Sequence, residues 1–162
     1  MRCKQIFYAL FYYLCMIIGA YIAVFIFTHV LFAPVYVNGN SMEPNIAEGT
    51  IGFSNIATRQ ISGIQRFDII VFTHNDEWMI KRVIALPKET IEVKDNTLYI
   101  DGMEIEQPFL TEDVLTSDIA LIRLSDQEIY VLGDNRNNSM DSRMFGAIHL
   151  SDVIGKDLYA MR

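Results

Sequence analysis

The chain has 162 residues, a net charge of −7 and 51% hydrophobic residues, a length that suits one domain plus an anchor. The charge is uneven: the 38 positions from Gln5 to Met42 hold no Asp, Glu, Lys or Arg, and from Ser41 onward 20 acidic residues face 11 basic ones, a net of −9. So acidic a domain argues against nucleic acid as a partner, because phosphate binding needs clustered Lys and Arg. The two cysteines, Cys3 and Cys15, sit at and inside the apolar run, so the remaining chain must fold without a disulfide.

Ile6 to Ala33 is a 28-residue run rich in Ile, Phe, Tyr, Leu and Val. As a helix it reaches ~42 Å against ~30 Å of hydrocarbon, enough to span with tilt or with its last turn in the interface. A cleaved signal peptide carries an apolar core of only ~7–15 residues, and Pro34 after Ala33 makes a poor cleavage site. The run therefore reads as an uncleaved signal-anchor. Arg2 and Lys4 precede it and hold the N-terminus inside by the positive-inside rule, which puts the acidic part outside. Thr28 and His29 fall near the outer end, where His29 reads as an interfacial residue. The expected organisation is a cytoplasmic N-terminus and transmembrane helix over 1–33 and an extracytoplasmic domain over 34–162.

Beyond Pro34 the pattern changes to short alternating segments. Arg66 to Phe72 is β-branched and apolar, and Trp78 to Ala85 reads as a second strand carrying Lys81. Thr90–Lys94 and Thr97–Ile100 flank Asp95-Asn96 as a hairpin, and Asp101-Gly102 turns into Met103-Glu104-Ile105. Glu128–Leu132 is a further strand closed by Gly133-Asp134-Asn135. Residues 95–126 form a short insertion or hairpin region, and 107–126 read as a polar surface loop. Many short strands with turn signals and no sustained helical stripe predict an all-β barrel or sandwich behind one N-terminal transmembrane helix.

Three strings carry chemistry. Ser41-Met42-Glu43-Pro44 lies just beyond the apolar run, and a serine hydroxyl needs a base to attack. The three His residues, at 29, 74 and 149, have no recognisable triad context. Lys81 is the other base: burial among apolar side chains lowers a lysine pKa from about 10.4, and strand alternation makes Met79 and Val83 its same-face neighbours. An ordinary surface Lys81-Arg82 pair is the bland alternative. Gly133 to Gly146 packs turn formers, carboxylates, arginines and hydroxyls into one stretch. There, Asp141 and Arg143 can pair on one face of an extended segment, and Ser139 can orient a neutral amine. No metal or cofactor pattern exists, since the His residues are scattered and there is no Cys-x-x-Cys.

Together these blocks resemble type I signal peptidases, membrane-bound serine proteases that remove signal peptides from exported proteins. Val37 to Pro44 resembles the nucleophile block, Arg66 to Phe72 the Gly-Asp-Ile-Val-Val-Phe strand, Lys81 to Pro87 the base block and Gly133 to Gly146 the last block. The resemblance implies Ser41 as nucleophile and Lys81 as general base. It also implies Ser139 orienting Lys81, with Asp141, Arg143, Arg82 and Asp134 as support. Val37, Met42, Ile46, Met79 and Ile80 match positions lining pockets for small side chains at −1 and −3 of the cleavage site. The oxyanion region is Gly39 and the Ser41 N–H; some relatives place a Ser where Gly39 stands. Asn45 replaces a usual Thr, Phe67 a usual Gly, and Lys88-Glu89 a usual Gly-Asp. The implied partners are signal peptides of preproteins and membrane lipid. Two alternatives remain: a non-catalytic assembly factor or chaperone for surface proteins such as pilins, and a peptidase dedicated to one such substrate. A self-cleaving repressor-type Ser-Lys protease fits poorly with a membrane anchor.

Overall fold

The computed structural model describes residues 2–27, 31–56 and 63–161; Thr28 and His29 lie outside them. Helix α1 (Arg2–Ile26) is followed by strand β1 (Phe32–Tyr36), so the expected helix stops short of Ala33, which is buried within β1. Pro34 accounts for the extended backbone at Ala33, because the residue before a proline is disfavoured in a helix. The Lys4–Ile26 stretch, with mean hydropathy 2.3, is long and apolar enough to cross a membrane, and none of its most apolar stretch is buried against the protein. At its end the Phe27 ring packs on Phe32 at 5.0 Å and on Phe53 at 6.1 Å.

The remaining elements are strands β2 (Ile51–Asn55), β3 (Ile69–His74), β4 (Glu77–Ala85), β5 (Thr90–Lys94), β6 (Thr97–Ile100), β7 (Met103–Glu104), β8 (Ile119–Arg123), β9 (Glu128–Leu132), β10 (Ile148–His149) and β11 (Val153–Met161), with one helical turn, α2 (Ser142–Phe145). They form a seven-stranded sheet in the order β1-β2-β11-β3-β4-β9-β10 and a four-stranded sheet in the order β7-β6-β5-β8. The all-β expectation holds. The β5–β6 hairpin is the predicted one, with Asp95 and Asn96 both at positive φ as its two-residue turn requires. Arg66–Asp68 is not yet strand: Phe67 sits at φ +72° and β3 begins at Ile69. The predicted loop 107–126 contains β8, which pairs with β5. Only Ile119 of its five residues is buried, so alternation could not betray it.

A main core cluster joins the two sheets, with Ile84 and Ala85 of β4, Ile91 and Val93 of β5, Leu98 and Ile100 of β6, and Tyr130 and Leu132 of β9. Ile70, Phe72, Val83, Ile129 and Val131 fill one face of the large sheet, and Val37, Met42 and Ile46 pack with Ile69 and Ile80 on the other. Two consequences position the site. Pairing of β4 with β9 begins at Arg82, so the Glu77–Lys81 half of β4 keeps one edge free of a strand partner. The end of β9 runs directly under residue 41: a Cβ on Gly133 would lie 2.5 Å from the Ser41 carbonyl oxygen and would overlap Ser139 Oγ. Backbone so close admits only glycine. Gly133→Ala is expected to cost about 1–3 kcal/mol of unfolding free energy through overpacking. Urea unfolding measures it, and a midpoint equal to wild type would show that the approach tolerates a methyl group.

Candidate active site

Ser41 opens a tight turn spanning residues 41–45, after β1 has carried the chain along the rim of the large sheet. The turn is tied underneath by Met42 and Ile46, both buried, and by the Ile46 N–H donating to the Met42 carbonyl at 2.9 Å. It is tied from the side by the segment after β9. The Asn135 N–H donates to the Ser41 carbonyl at 3.0 Å, Asn135 Nδ2 to the Asn40 carbonyl at 3.2 Å and Asn138 Nδ2 to Asn40 Oδ1 at 2.9 Å. These asparagines were legible only as turn formers; their grip on residues 40 and 41 depends on folding that brings together positions more than 90 apart.

Lys81 reaches the same point from β4. It lies opposite Ile70 in the β3–β4 register, on the strand face it shares with Met79 and Val83. The residue is 3% exposed. Its Nζ donates to Ser41 Oγ at 2.9 Å and to the Ile80 carbonyl at 3.0 Å. Burial lowers its pKa to about 8, against the pull of Asp141 and Asp134, whose charges favour the ammonium. The bland alternative of an exposed Lys-Arg pair is thus excluded by burial. An amine of this kind is neutral in an appreciable fraction near neutral pH, which an exposed lysine is not.

Two buried ion pairs flank the amine. Arg82 Nε and Nη2 donate to the two Asp134 oxygens at 2.8 and 2.6 Å. Arg143 Nε and Nη2 donate to the two Asp141 oxygens, both at 2.8 Å. Such two-point contacts fix the carboxylate planes as well as the distances. The Asp141–Arg143 pair is not made along an extended segment: Asp141 caps α2, where its carboxylate accepts the Arg143 N–H at 3.3 Å and, on its other oxygen, the Gly133 N–H at 3.1 Å. Burial alone would raise the Asp141 carboxyl, but Arg143 and the Gly133 N–H outweigh it and hold it below the ordinary carboxylate range. Ser142 Oγ accepts the Val131 N–H at 3.0 Å and locks this turn to β9. Ser139 Oγ is buried beside Gly133, where it faces Asp141 and helps hold that carboxyl down, and it is not bonded to Lys81.

In front of Ser41 and Lys81 lies a cleft of about 250 Å3. Its walls are the Pro34–Met42 side of the chain and the free half of β4 from Glu77 to Lys81, with Val71 between them. Of the residues expected to line a substrate pocket, Val37, Met42, Met79 and Ile80 line this cleft, whereas Ile46 packs behind Val37 and Met42 and does not. Pro34, Tyr36, Val71 and Trp78 also line it. No pattern in the sequence singled these out, since they join the wall through their places on β1, β3 and β4 rather than through a motif. Gly39, at φ +105°, has open space where a side chain would be, and its N–H donates to Glu48 Oε1 at 3.3 Å. Among the described residues no cluster of His, Cys, Asp and Glu is arranged to hold a metal.

Known proteins share this arrangement of sequence and fold. Residues 10–161 match the family model for signal peptidase, peptidase S26. Signal peptidase I of Bacillus amyloliquefaciens is 38% identical over 136 residues, which is 78% of this chain and 73% of that protein. Signal peptidase I S of Bacillus subtilis strain 168 is 35% identical over 137 residues, covering 78% of this chain and 74% of that protein. The crystal structure of a signal peptidase I from Enterococcus faecalis V583 superposes with a TM-score of 0.52 at 34% identity, over 57% of this chain and 95% of that one. The match takes in the Ser41 turn, β4 and the Gly133–Gly146 segment alike, and places the chain in the signal peptidase family, peptidase S26.

Proposed function

We propose that the protein is a membrane-anchored serine endopeptidase that cleaves signal peptides from exported preproteins, with Ser41 as nucleophile and Lys81 as general base. The 2.9 Å contact between a buried amine and a hydroxyl at the head of an open cleft carries the reading. While Lys81 is protonated, Nζ donates to Oγ and no base is available. Once neutral, Nζ accepts the Ser41 proton as Oγ attacks the scissile carbonyl, then returns it to the departing amine, leaving an acyl-enzyme. Water deacylates the serine by the same proton path in reverse. The Ser41 N–H serves the oxyanion, with the backbone beside Gly39 or a water as the second donor. Ser139, expected to orient Lys81 directly, packs by Gly133 and Asp141 instead, and the Arg82–Asp134 and Asp141–Arg143 pairs keep the walls fixed.

The cleft supports the substrate class. A peptide lies extended between the β1 side and the free edge of β4, adding a strand to an unpaired edge. Val37, Met42, Met79 and Ile80 leave room for small side chains at −1 and −3. The placement supports it too. Arg2 and Lys4 favour a cytoplasmic N-terminus and so a catalytic domain on the outer side. Tyr36, Ile51 and Tyr159 form an exposed apolar face on β1, β2 and β11, continuous through Phe32 and Phe53 with the end of α1, and this face rests in the lipid interface.

Ser41→Ala and Lys81→Ala should each reduce preprotein cleavage by at least about a thousandfold with the fold intact. Gel-based processing of a purified preprotein checks it, and turnover surviving in either variant overturns the dyad. The rate of acylation should climb with pH to a midpoint near 8, the pKa of buried Lys81. A profile flat from pH 5 to 9 with chemistry limiting contradicts a lysine base. Stability should answer to the same group. Below pH 8 folded and unfolded chains both carry the ammonium and the folded one bears its burial. Between about 8 and 10.5 the folded chain loses the proton first, so wild-type stability climbs with pH. Lys81→Met should therefore gain up to about 3 kcal/mol at pH 7, with the gain shrinking above pH 8. Denaturant unfolding at pH 7 and 10 reads both values, and a loss at pH 7 would contradict the buried charge.

A further inference from the structure

Asn45, Phe67 and Lys88 stand where the family pattern has Thr, Gly and Gly, and the structure gives two of the three a shared purpose. Phe67 and Lys88 lie at φ +72° and +71°, the left-handed region in which an L side chain is strained and glycine is not. Lys88 projects to the surface. Phe67 turns its ring inward, edge-on to Phe109 at 5.0 Å and 62°. The Phe109 ring in turn carries the Arg82 guanidinium on its face, 4.2 Å from the centroid. Arg82 Nη1 donates to the Phe67 carbonyl at 3.0 Å. Asn45 completes the unit. Its Nδ2 donates to Asp134 Oδ2 and to the Phe109 carbonyl, each at 2.9 Å.

The two ends of this unit matter. Asn45 is the last residue of the turn that Ser41 begins, and Arg82 is the residue after Lys81. A strained residue kept where glycine fits points to a task for its side chain. We propose that Asn45, Phe67 and Phe109 are positioning residues that set the Ser41–Lys81 distance by clamping the nucleophile turn to the Arg82–Asp134 pair. This rests on the dyad reading above. Asn45 locks the turn to that pair and to the segment carrying Phe109. The two rings hold the guanidinium plane, and through it the register of β4 at Lys81, so that the hydroxyl and amine meet without either residue touching the clamp.

The test uses the full-length protein in detergent micelles, with a purified preprotein as substrate and thermal unfolding as the control for folding. Asn45→Ala removes both amide bonds from an exposed position, and its thermal midpoint shows that it is folded before kcat is compared. Phe67→Gly relieves the backbone while deleting the ring. Each should lose about tenfold or more in kcat, since small misplacements of reacting groups are costly, with KM within about twofold of wild type. Phe109→Leu should fall likewise, and Phe109→Tyr, which keeps the ring, should recover most of that loss. Turnover surviving in Ser41→Ala overturns the dyad and this clamp with it. An inactive Ser41→Ala beside full kcat in folded Asn45→Ala overturns the clamp alone, as does a rise in KM with kcat unchanged.

Discussion

The structure is organised around the cost of keeping a lysine amine dry. Lys81 is buried mid-strand, opposite Ile70 and between Met79 and Val83, with its charge disfavoured by the surroundings and partly restored by Asp134 and Asp141. Had the carboxylates been left unpaired, they would have pulled the amine back toward its ordinary pKa. Arg82 and Arg143 neutralise them at two points each. The ion pairs are thus weak evidence of stability in themselves, because desolvating such pairs offsets much of their attraction. Their value lies in fixing, at two points each, the carboxylates that stand beside Lys81.

The segment after β9 serves three tasks at once. Gly133 lets the backbone pass beneath Ser41, Asn135 and Asn138 hold residues 40 and 41 from the side, and Asp141 caps α2 while receiving Gly133. Arg136 joins this segment to the connection between β7 and β8. Its guanidinium is 3% exposed and donates to the Gly133 carbonyl and to Thr116 and Gln107. Burial lowers its pKa to about 10, and no carboxylate pairs with it among the described residues. The connection between β7 and β8 is therefore part of the frame that holds the Ser41 turn.

Local strings carried the chemical reading. Ser41-Met42-Glu43-Pro44, the apolar residues around Lys81 and the crowded Gly133–Gly146 stretch each state a role within a few positions. The anchor and the β5–β6 hairpin were equally plain, since continuous hydropathy and a two-residue Asp95-Asn96 turn need no distant partner. What needed the structure was non-local. Strand β11 inserts between β2 and β3, and no local pattern in the chain encodes that. Strand β8 exists by pairing with β5, with four of its five side chains exposed. Ile46 follows the family's spacing yet packs behind the wall it was expected to form. Phe109 sat in a stretch that reads as polar loop, and its place against Arg82 and Phe67 joins positions 27 and 42 residues apart.

The packing of Phe27 on Phe32 and Phe53 has a mechanical consequence. It joins the end of the apolar helix to the strand that leads into the cleft wall. With that helix set in a bilayer, as the proposed function has it, the aromatic contact restrains how far the cleft can swing away from the lipid. Distance from the membrane surface then bears on which peptide bonds reach Ser41, alongside the fit of their side chains.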